Sequence, residues 1–398
     1  MSEIIIIGQN YNTSLGLIKS VGEGGFKCAT VKFNRKKSFI RNLLRIPISP
    51  DLCSKYVDRW VIIPREPEMT LVNGLISNFG DKTNKKVVLP ADDYCAFVLD
   101  RNYHLLSELF HVPHIINITL SLEYYMDKQN QKIIAEKYDI NISKTWSVNI
   151  KKGNRVSIPK GVIYPCITKP QSSIGLPKSY IQKCNNKDEL QSLLNHFANE
   201  TSCEILIEEY IEVEEEFTIP GISDGTNVII PSFLKKRVIG KGAHKGVTIC
   251  GRVMNAELYE SECSKLKSMM RIIGFSGIFD IEILKSNGKF YLNEINFRNG
   301  AAGFSLTKAG INLPAIYVNY ILNKIPLALS NFRLQELTFL NDKAALEHYI
   351  AGECTLTEYK SLKKNVDVSL IDNKDDRFAQ LSFRFLGLKL LISKYLRK

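Results

Sequence analysis

The chain has 398 residues, of which 44% are hydrophobic and 10% aromatic, so it is long enough for roughly two or three domains with a substantial core and too apolar to be disordered. Fifty-three Lys and Arg against 41 Asp and Glu leave a net charge of +12, but neither acid-free run carries an aromatic stacking series and no helix-turn-helix, RRM or zinc-finger pattern occurs, so phosphorylated or carboxylated small molecules are expected as partners and nucleic acid is not. No apolar run approaches the ~20 residues of a membrane span, Ile4 to Ile7 after Glu3 lacks the charge and length of a secretory signal, and nine cysteines, an odd number without a C-x-x-C pair, suit a reduced cytoplasmic setting.

Glu3 to Gly8 predicts a buried parallel strand, followed by a loop at Gln9 to Asn12, a helix near Ser14 to Gly22 and a second strand from Phe26 to Phe33. Gly8 stands alone, outside any G-x-G-x-x-G, which is a weak signal for a dinucleotide site. Lys27 to Arg45 holds seven basic residues and no acid. Lys86 to Pro90 predicts a strand that ends at Asp92 and Asp93. Groups at the carboxyl ends of strands in an open α/β sheet face the ligand crevice, so these acids either help hold an acceptor or, more commonly, cap the next helix. His111 and His114 have metal-like spacing but no Cys or carboxylate cluster beside them. A soft boundary falls at Asn117 to Leu122.

Met126-Asp127-Lys128 opens a helical stretch over Gln129 to Tyr138. Tyr164 to Pro170 reads as a strand ending in Lys169, followed at once by Ser172-Ser173-Ile174-Gly175, small residues whose hydroxyls and backbone N–H groups suit phosphate oxygens. Ile205 to Ile211 reads as a strand with Glu208 and Glu209 in it, and Glu216 lies in an acidic run. Taken singly, each has a plain explanation as a solvated lysine, a turn or a charged face. Residues 225 to 256 contain no Asp or Glu and carry Lys235, Lys236, Arg237, Lys241, Lys245 and Arg252 among glycines, which predicts a flexible cationic loop able to meet phosphates or an acidic substrate, or simply a solvated one.

Phe279 to Ile283 and Phe290 to Asn296 alternate apolar and polar residues, and Ser286-Asn287-Gly288-Lys289 between them predicts a hairpin turn. Glu294 and Asn296 then share one strand face, with Glu282 on the partner strand and Arg298 just beyond. Two carboxylates and an amide are hard oxygen donors that suit Mg²⁺, or Mn²⁺ in its place, better than zinc; the plain alternative is a solvated acidic hairpin. From about Ser330 the composition changes. Arg377 to Lys398 holds six basic residues and no acid, with Phe378, Leu381, Phe385, Leu388, Ile392 and Tyr395 at helical spacing. Such a helix lies on an anionic membrane or packs on its own domain. Packing is expected, because Phe383, Leu386, Leu390 and Leu396 widen the apolar face beyond that stripe.

The order Lys128, Lys169, small-residue loop, Glu208-Glu209, Glu216 and E…E-x-N-x-R resembles the ATP-grasp ligases. The resemblance covers about residues 1 to 330 and is specific in the later two thirds. It implies an α/β and α+β protein: a preATP-grasp parallel-sheet domain at 1–120, a two-subdomain ATP-grasp domain at 121–330 and a C-terminal extension at 331–398. It implies that Lys128 and Lys169 meet the phosphates of ATP under a loop containing Ser172, Ser173 and Gly175, that backbone groups around Glu208, Glu209 and Ile211 hold adenine, and that Glu216 holds the ribose. Glu282, Glu294 and Asn296 would bind the metal, Arg298 the acyl phosphate, and Lys236 with Arg237 would match a K-x-R type segment of the amino-acid ligases. Asn299 to Gly303 lacks the acid and histidine of biotin carboxylases, whereas Lys308 to Pro314 resembles carboxylate–amine ligases of the D-aspartate ligase type. The expected activity is ATP-dependent amide or peptide bond formation on a small acid, such as an amino acid or acidic sugar, with a non-catalytic ATP-binding regulator as the alternative and the oligomeric state left open.

Overall fold

In a computed structural model, residues 4–34, 49–64, 66–116, 119–172, 178–241, 246–329 and 332–395 are described. Four isoleucines form the first strand, β1 (Ile4–Ile7), and all four are fully buried. A strand apolar on both faces belongs in the middle of a parallel sheet. Its neighbours are β2 (Cys28–Asn34) and β4 (Lys86–Pro90), with β3 (Val57–Pro64) and β5 (Phe110–His111) outside them in the parallel order β3-β2-β1-β4-β5. Ile4 and Ile6 enter one core with Leu17, Ile18 and Val21, while Ile5 and Ile7 enter a second with Leu71, Leu75 and Val98. The alternation of the strand thus joins two helical layers through one sheet. The first helix, Tyr11–Glu23, starts earlier than its apolar period suggests, because the Asn10 side chain accepts from the Asn12 N–H at 3.1 Å and caps it. Asp92 is also a cap: its carboxylate accepts from the Cys95 N–H at 2.9 Å at the start of helix Asp93–Arg101. Strand β6 (His114–Ile115) follows.

The chain divides into two compact units that interleave in sequence. One comprises Met1–Leu122, Thr218–Asp280 and Asn296–Lys398; the other comprises Glu123–Phe217 and Ile281–Ile295. The consecutive division at 120 and 330 cuts the chain by sequence and this one by contact. Within the second unit, β7 (Thr145–Ile150), β8 (Cys166–Pro170), β9 (Lys183–Cys184) and β10 (Cys203–Glu209) form an antiparallel sheet in the order β7-β10-β8-β9. Helix Lys187–Glu200 buries Leu190, Leu194 and Phe197 against Ile205 and Ile207 on one face of it. Strand periodicity therefore sends Leu206 and Glu208, with their cross-strand neighbours Lys169 and Ile167, to the other face.

The remaining strands are β11 (Glu215–Asp224), β12 (Val228–Ile229), β13 (Ser232–Ile239), β14 (Thr248–Asn255), β15 (Phe275–Ser286), β16 (Lys289–Asn296), β17 (Leu337–Leu340) and β18 (Val368–Ser369). They run in the order β16-β15-β11-β13-β14-β17-β18, with β12 on β11 and β6 on β15. The hairpin of β15 and β16 turns at Asn287 and Gly288, both at positive φ (49° and 72°), as a two-residue turn requires. The cationic stretch departs from its reading as a loop. Most of it is the antiparallel pair β13 and β14, anchored by Phe233, Leu234, Ile249 and Val253, all buried; residues 242–245, including Lys245, lie outside the described residues.

The C-terminal helix, Arg377–Tyr395, packs, but through the positions beside the stripe that marked it in sequence. Ala379 and Phe383 are buried with Leu15, Leu346 and Ile371, whereas Phe378, Leu381, Phe385, Leu388 and Ile392 are exposed. Among the described residues, no helix is long and apolar enough to cross a membrane.

Candidate active site

The second unit gathers charged side chains on the face of its sheet opposite the core. Asp127 caps helix Lys128–Lys137 by accepting from the Gln129 and Asn130 N–H groups. Lys128 and Lys132, four residues apart, share one side of that helix, and both are buried. Lys132 Nζ lies 2.7 Å from Glu208 Oε1, and Lys169 Nζ, from β8, lies 2.8 Å from Glu208 Oε2. Lys132 also donates to Ser143 Oγ at 2.9 Å and Thr145 Oγ1 at 2.6 Å, and Ser143 Oγ donates to Glu208 at 3.1 Å. Burial alone would push the Glu208 carboxyl up, but the ammonium groups of Lys169 and Lys132 prevail and hold it at about 2. Burial lowers Lys132 to about 8 against the pull of Glu208. At neutral pH the group is therefore a buried carboxylate bracketed by two cations, with one positive charge in excess.

The hairpin carboxylates belong to the same unit. Lys128 Nζ is 3.3 Å from Glu294 Oε1, Lys169 Nζ donates to Asn293 Oδ1 at 2.8 Å, and Asn293 Nδ2 lies 3.4 Å from Glu282 Oε2. Gln131 holds β16 to the lysine helix: its Nε2 donates to the Ile295 carbonyl at 2.9 Å and its Oε1 accepts from the Ile295 N–H at 2.8 Å. Among the described residues, no three His, Cys, Asp or Glu side chains gather as a self-sufficient metal cage. The two half-buried carboxylates of the hairpin are hard oxygen donors, of the kind that suits a cation keeping water and phosphate oxygens in its shell, as Mg²⁺ does.

In the first unit, Arg298 is set by carboxylates. Its Nε lies 3.2 Å from Asp93 Oδ1, its Nη1 4.0 Å from Asp280 Oδ2, and its Nη2 donates to Asn296 Oδ1 at 3.0 Å. Gly300 approaches Asp280 so closely that a Cβ there would overlap its carboxylate. Lys236 and Arg237 part company at a break in the β13–β14 register: Lys236 is buried, with Nζ donating to the Gly246 carbonyl at 3.2 Å, and Arg237 is exposed.

The other residues singled out in the sequence are placed as follows. Glu209 ends β10, Ile211 lies two residues on and Glu216 is in β11; all three are partly buried. Ser172 forms an isolated bridge with Asp127, and the Lys128 N–H donates to the Gln171 carbonyl at 3.1 Å, which brings the start of the small-residue loop to the start of the lysine helix. Ser173 and Gly175 lie outside the described residues. Lys132, Ser143, Gln131, Asn293 and Asp280 were not assigned to the site from sequence, and Asp93 was read only as an acceptor-holding acid or a helix cap. Only Lys132 carries a local signal, its four-residue spacing from Lys128.

This architecture is the ATP-grasp fold. Over 85% of the chain it is similar to an L-amino acid ligase of Bacillus licheniformis, with a TM-score of 0.60, 16% identity and 79% of that chain covered. It is equally similar to an N5-carboxyaminoimidazole synthetase of Staphylococcus aureus solved with ADP (TM-score 0.60, 17% identity, 85% of this chain and 81% of that one). In sequence, the carbamoyl phosphate synthase large chain of Clostridium botulinum (strain Alaska E43) is 26% identical over 188 residues, 43% of this chain. The match spans 16% of that relative's length, so the chain corresponds to a small part of it. No protein-family model matches the chain.

Proposed function

We propose that the chain is an ATP-dependent, ADP-forming carboxylate–amine ligase that joins a small acid, such as an amino acid or acidic sugar, to an amine through an acyl phosphate. The observation that carries the reading is the Lys132–Glu208–Lys169 group beside Lys128 and the hairpin carboxylates: a buried excess of positive charge next to oxygen donors. Neighbours of the same fold are described in complexes with ADP and ATP, which supports the nucleotide.

A carboxylate resists amines because its oxide is a poor leaving group; phosphorylation supplies a good one. In this reading a substrate carboxylate oxygen attacks the γ-phosphorus of ATP, the bond to the β-phosphate oxygen breaks, and ADP leaves. Lys128 and Lys169 offset charge on the phosphates, with Lys169 aimed by Glu208, and the loop of Ser172, Ser173 and Gly175 covers them. Backbone groups at Glu208, Glu209 and Ile211 hold adenine and Glu216 the ribose. Glu282, Glu294 and Asn296 would hold Mg²⁺, or Mn²⁺, which when bound neutralises phosphate charge. Arg298, oriented by Asp93 and Asp280, holds the acyl phosphate and then the tetrahedral oxyanion as the amine attacks, loses a proton and expels phosphate. Lys236 and Arg237 belong to acceptor recognition, with Lys236 buried and Arg237 exposed at the irregular end of their strand. Nine free cysteines support a cytoplasmic setting.

Screening acids and amines for phosphate release tests the proposal. ADP and phosphate are expected together, dependent on a matched acid and amine. AMP and pyrophosphate would reject it, and nucleotide binding without turnover for any pair would favour the non-catalytic regulator.

A further inference from the structure

Helix Arg377–Tyr395 has two apolar faces, and only one of them is packed. Ala379 and Phe383 are buried with Leu15, Leu346 and Ile371, and a Cβ added to Gly387 would come within 3.2 Å of Leu346 Cδ2. Those three positions are spaced by four and form one row along the helix. Phe378, Leu381, Phe385, Leu388 and Ile392 form the other face and are 66, 60, 58, 56 and 49% exposed. At about 100° per residue, the centre of this stripe falls roughly opposite the packed row. The packed row fixes the rotation of the helix, so the stripe cannot turn inward without extracting Phe383.

Cations border the stripe on both sides. On the same helical geometry Arg377 and Arg384 fall along one edge and Lys389 along the other, each within about 80° of its centre. Arg384 also pairs with Asp372 at 2.7 Å, which steadies that edge. Across 377–398 there are six basic residues and no acid. An apolar stripe flanked by cations matches a layer with acyl chains beneath and anionic headgroups at the rim, where long basic side chains keep their charge at the polar level. A second copy of the helix laid on this face would instead bring like charges together along both edges.

We propose that the exposed face of this helix docks the protein on an anionic lipid surface, in the plane of the membrane, and that it does so independently of the ligase reaction. The apolar side chains enter the headgroup boundary while Arg377, Arg384 and Lys389 meet lipid phosphates.

The full chain would be pelleted with vesicles of phosphatidylcholine alone and with vesicles containing about 30% phosphatidylglycerol. Binding is expected to the anionic vesicles only and to be released by about 0.5 M salt, which shortens electrostatic reach to a few ångströms. Leu381→Ser combined with Phe385→Ser is expected to weaken that binding at least ~10-fold by removing two apolar anchors, without moving the melting temperature, because both residues are exposed. Absence of binding, equal binding to neutral vesicles, or binding untouched by the double substitution would overturn the proposal. So would self-association of the full chain in sedimentation equilibrium that the double substitution abolishes, since the stripe would then be the seat of a second copy.

Discussion

A carboxylate buried as deeply as Glu208, 2% exposed, remains an anion only because two ammonium groups reach it. Removing one of them leaves a charge without half of its compensation. Lys132→Met is therefore expected to lower stability by about 3 kcal/mol, the usual scale for breaking a buried ion pair, and Lys132→Met with Glu208→Gln to lose less than the single change. Urea unfolding of both variants checks this, and equal losses would mean that Lys132 contributes packing alone. Arg298 differs because it is partly accessible and held by Asp93, Asp280 and Asn296 at its edges. Arg298→Ala is expected to leave ATP affinity within a few-fold and cut ligation at least ~100-fold, the pattern of a group acting mainly in the transition state. Parallel losses of binding and turnover would remove it from that role.

Two elements carry most of what can be tested by local change. The β15–β16 hairpin presents Glu282 and Glu294, half-buried and each beside a nitrogen donor. Glu294→Gln is expected to abolish turnover at limiting Mg²⁺ while the fold survives, since only one charge is removed, and Glu282→Gln to do so more mildly. Wild-type turnover by either variant under those conditions would exclude the hairpin as the metal site. In the C-terminal helix, Phe383 is 3% exposed and Phe385 is 58% exposed. Phe383→Ala should cost about 3 kcal/mol through the cavity it leaves, and Phe385→Ala less than about 0.5 kcal/mol. Similar melting temperatures for the two would contradict the packing of this helix.

For the whole molecule, the acid limb of stability has an identifiable contributor. Glu208 is held at about 2, below the usual carboxylate value near 4.5, so its contribution is complete above the usual value and disappears as pH falls to about 2. Lys132 has the opposite sign: lowered by burial to about 8 from 10.5, it imposes its full penalty below about 8, and the penalty fades as pH rises toward 10.5. Unfolding midpoints measured from neutral to acid pH should therefore decline through the lower range, and Glu208→Gln should flatten that decline. An unchanged acid limb in the variant would place the acid sensitivity elsewhere.

The resemblance of the motif order pointed to the ATP-grasp fold, and periodicity supplied its local elements, because a four-isoleucine strand, a helix opened by Asp127-Lys128 and a hairpin turning at Asn287-Gly288 are local statements about backbone preference and burial. They also placed Lys128, Lys169 and Glu294 on particular elements and Arg298 just beyond one. Pairings across long separations in sequence were not legible. Glu208 is 76 residues from Lys132, Arg298 is 205 from Asp93, and Gln131 is 164 from the Ile295 backbone it clamps, so no periodic pattern records them. Two readings changed for the same reason. The acid-free stretch reads as a loop by charge, but its buried Phe233, Leu234 and Val253 make it part of a sheet whose partner strands lie elsewhere in sequence. The terminal helix announces an apolar stripe, yet Leu15, Leu346 and Ile371 decide which face is covered, and they select Ala379 and Phe383. Sequence by itself determined most of the local elements and the residue types they carry; only tertiary packing decided where the cationic stretch pairs and which side chains meet, because burial and charge pairing depend on neighbours that the chain supplies from far away.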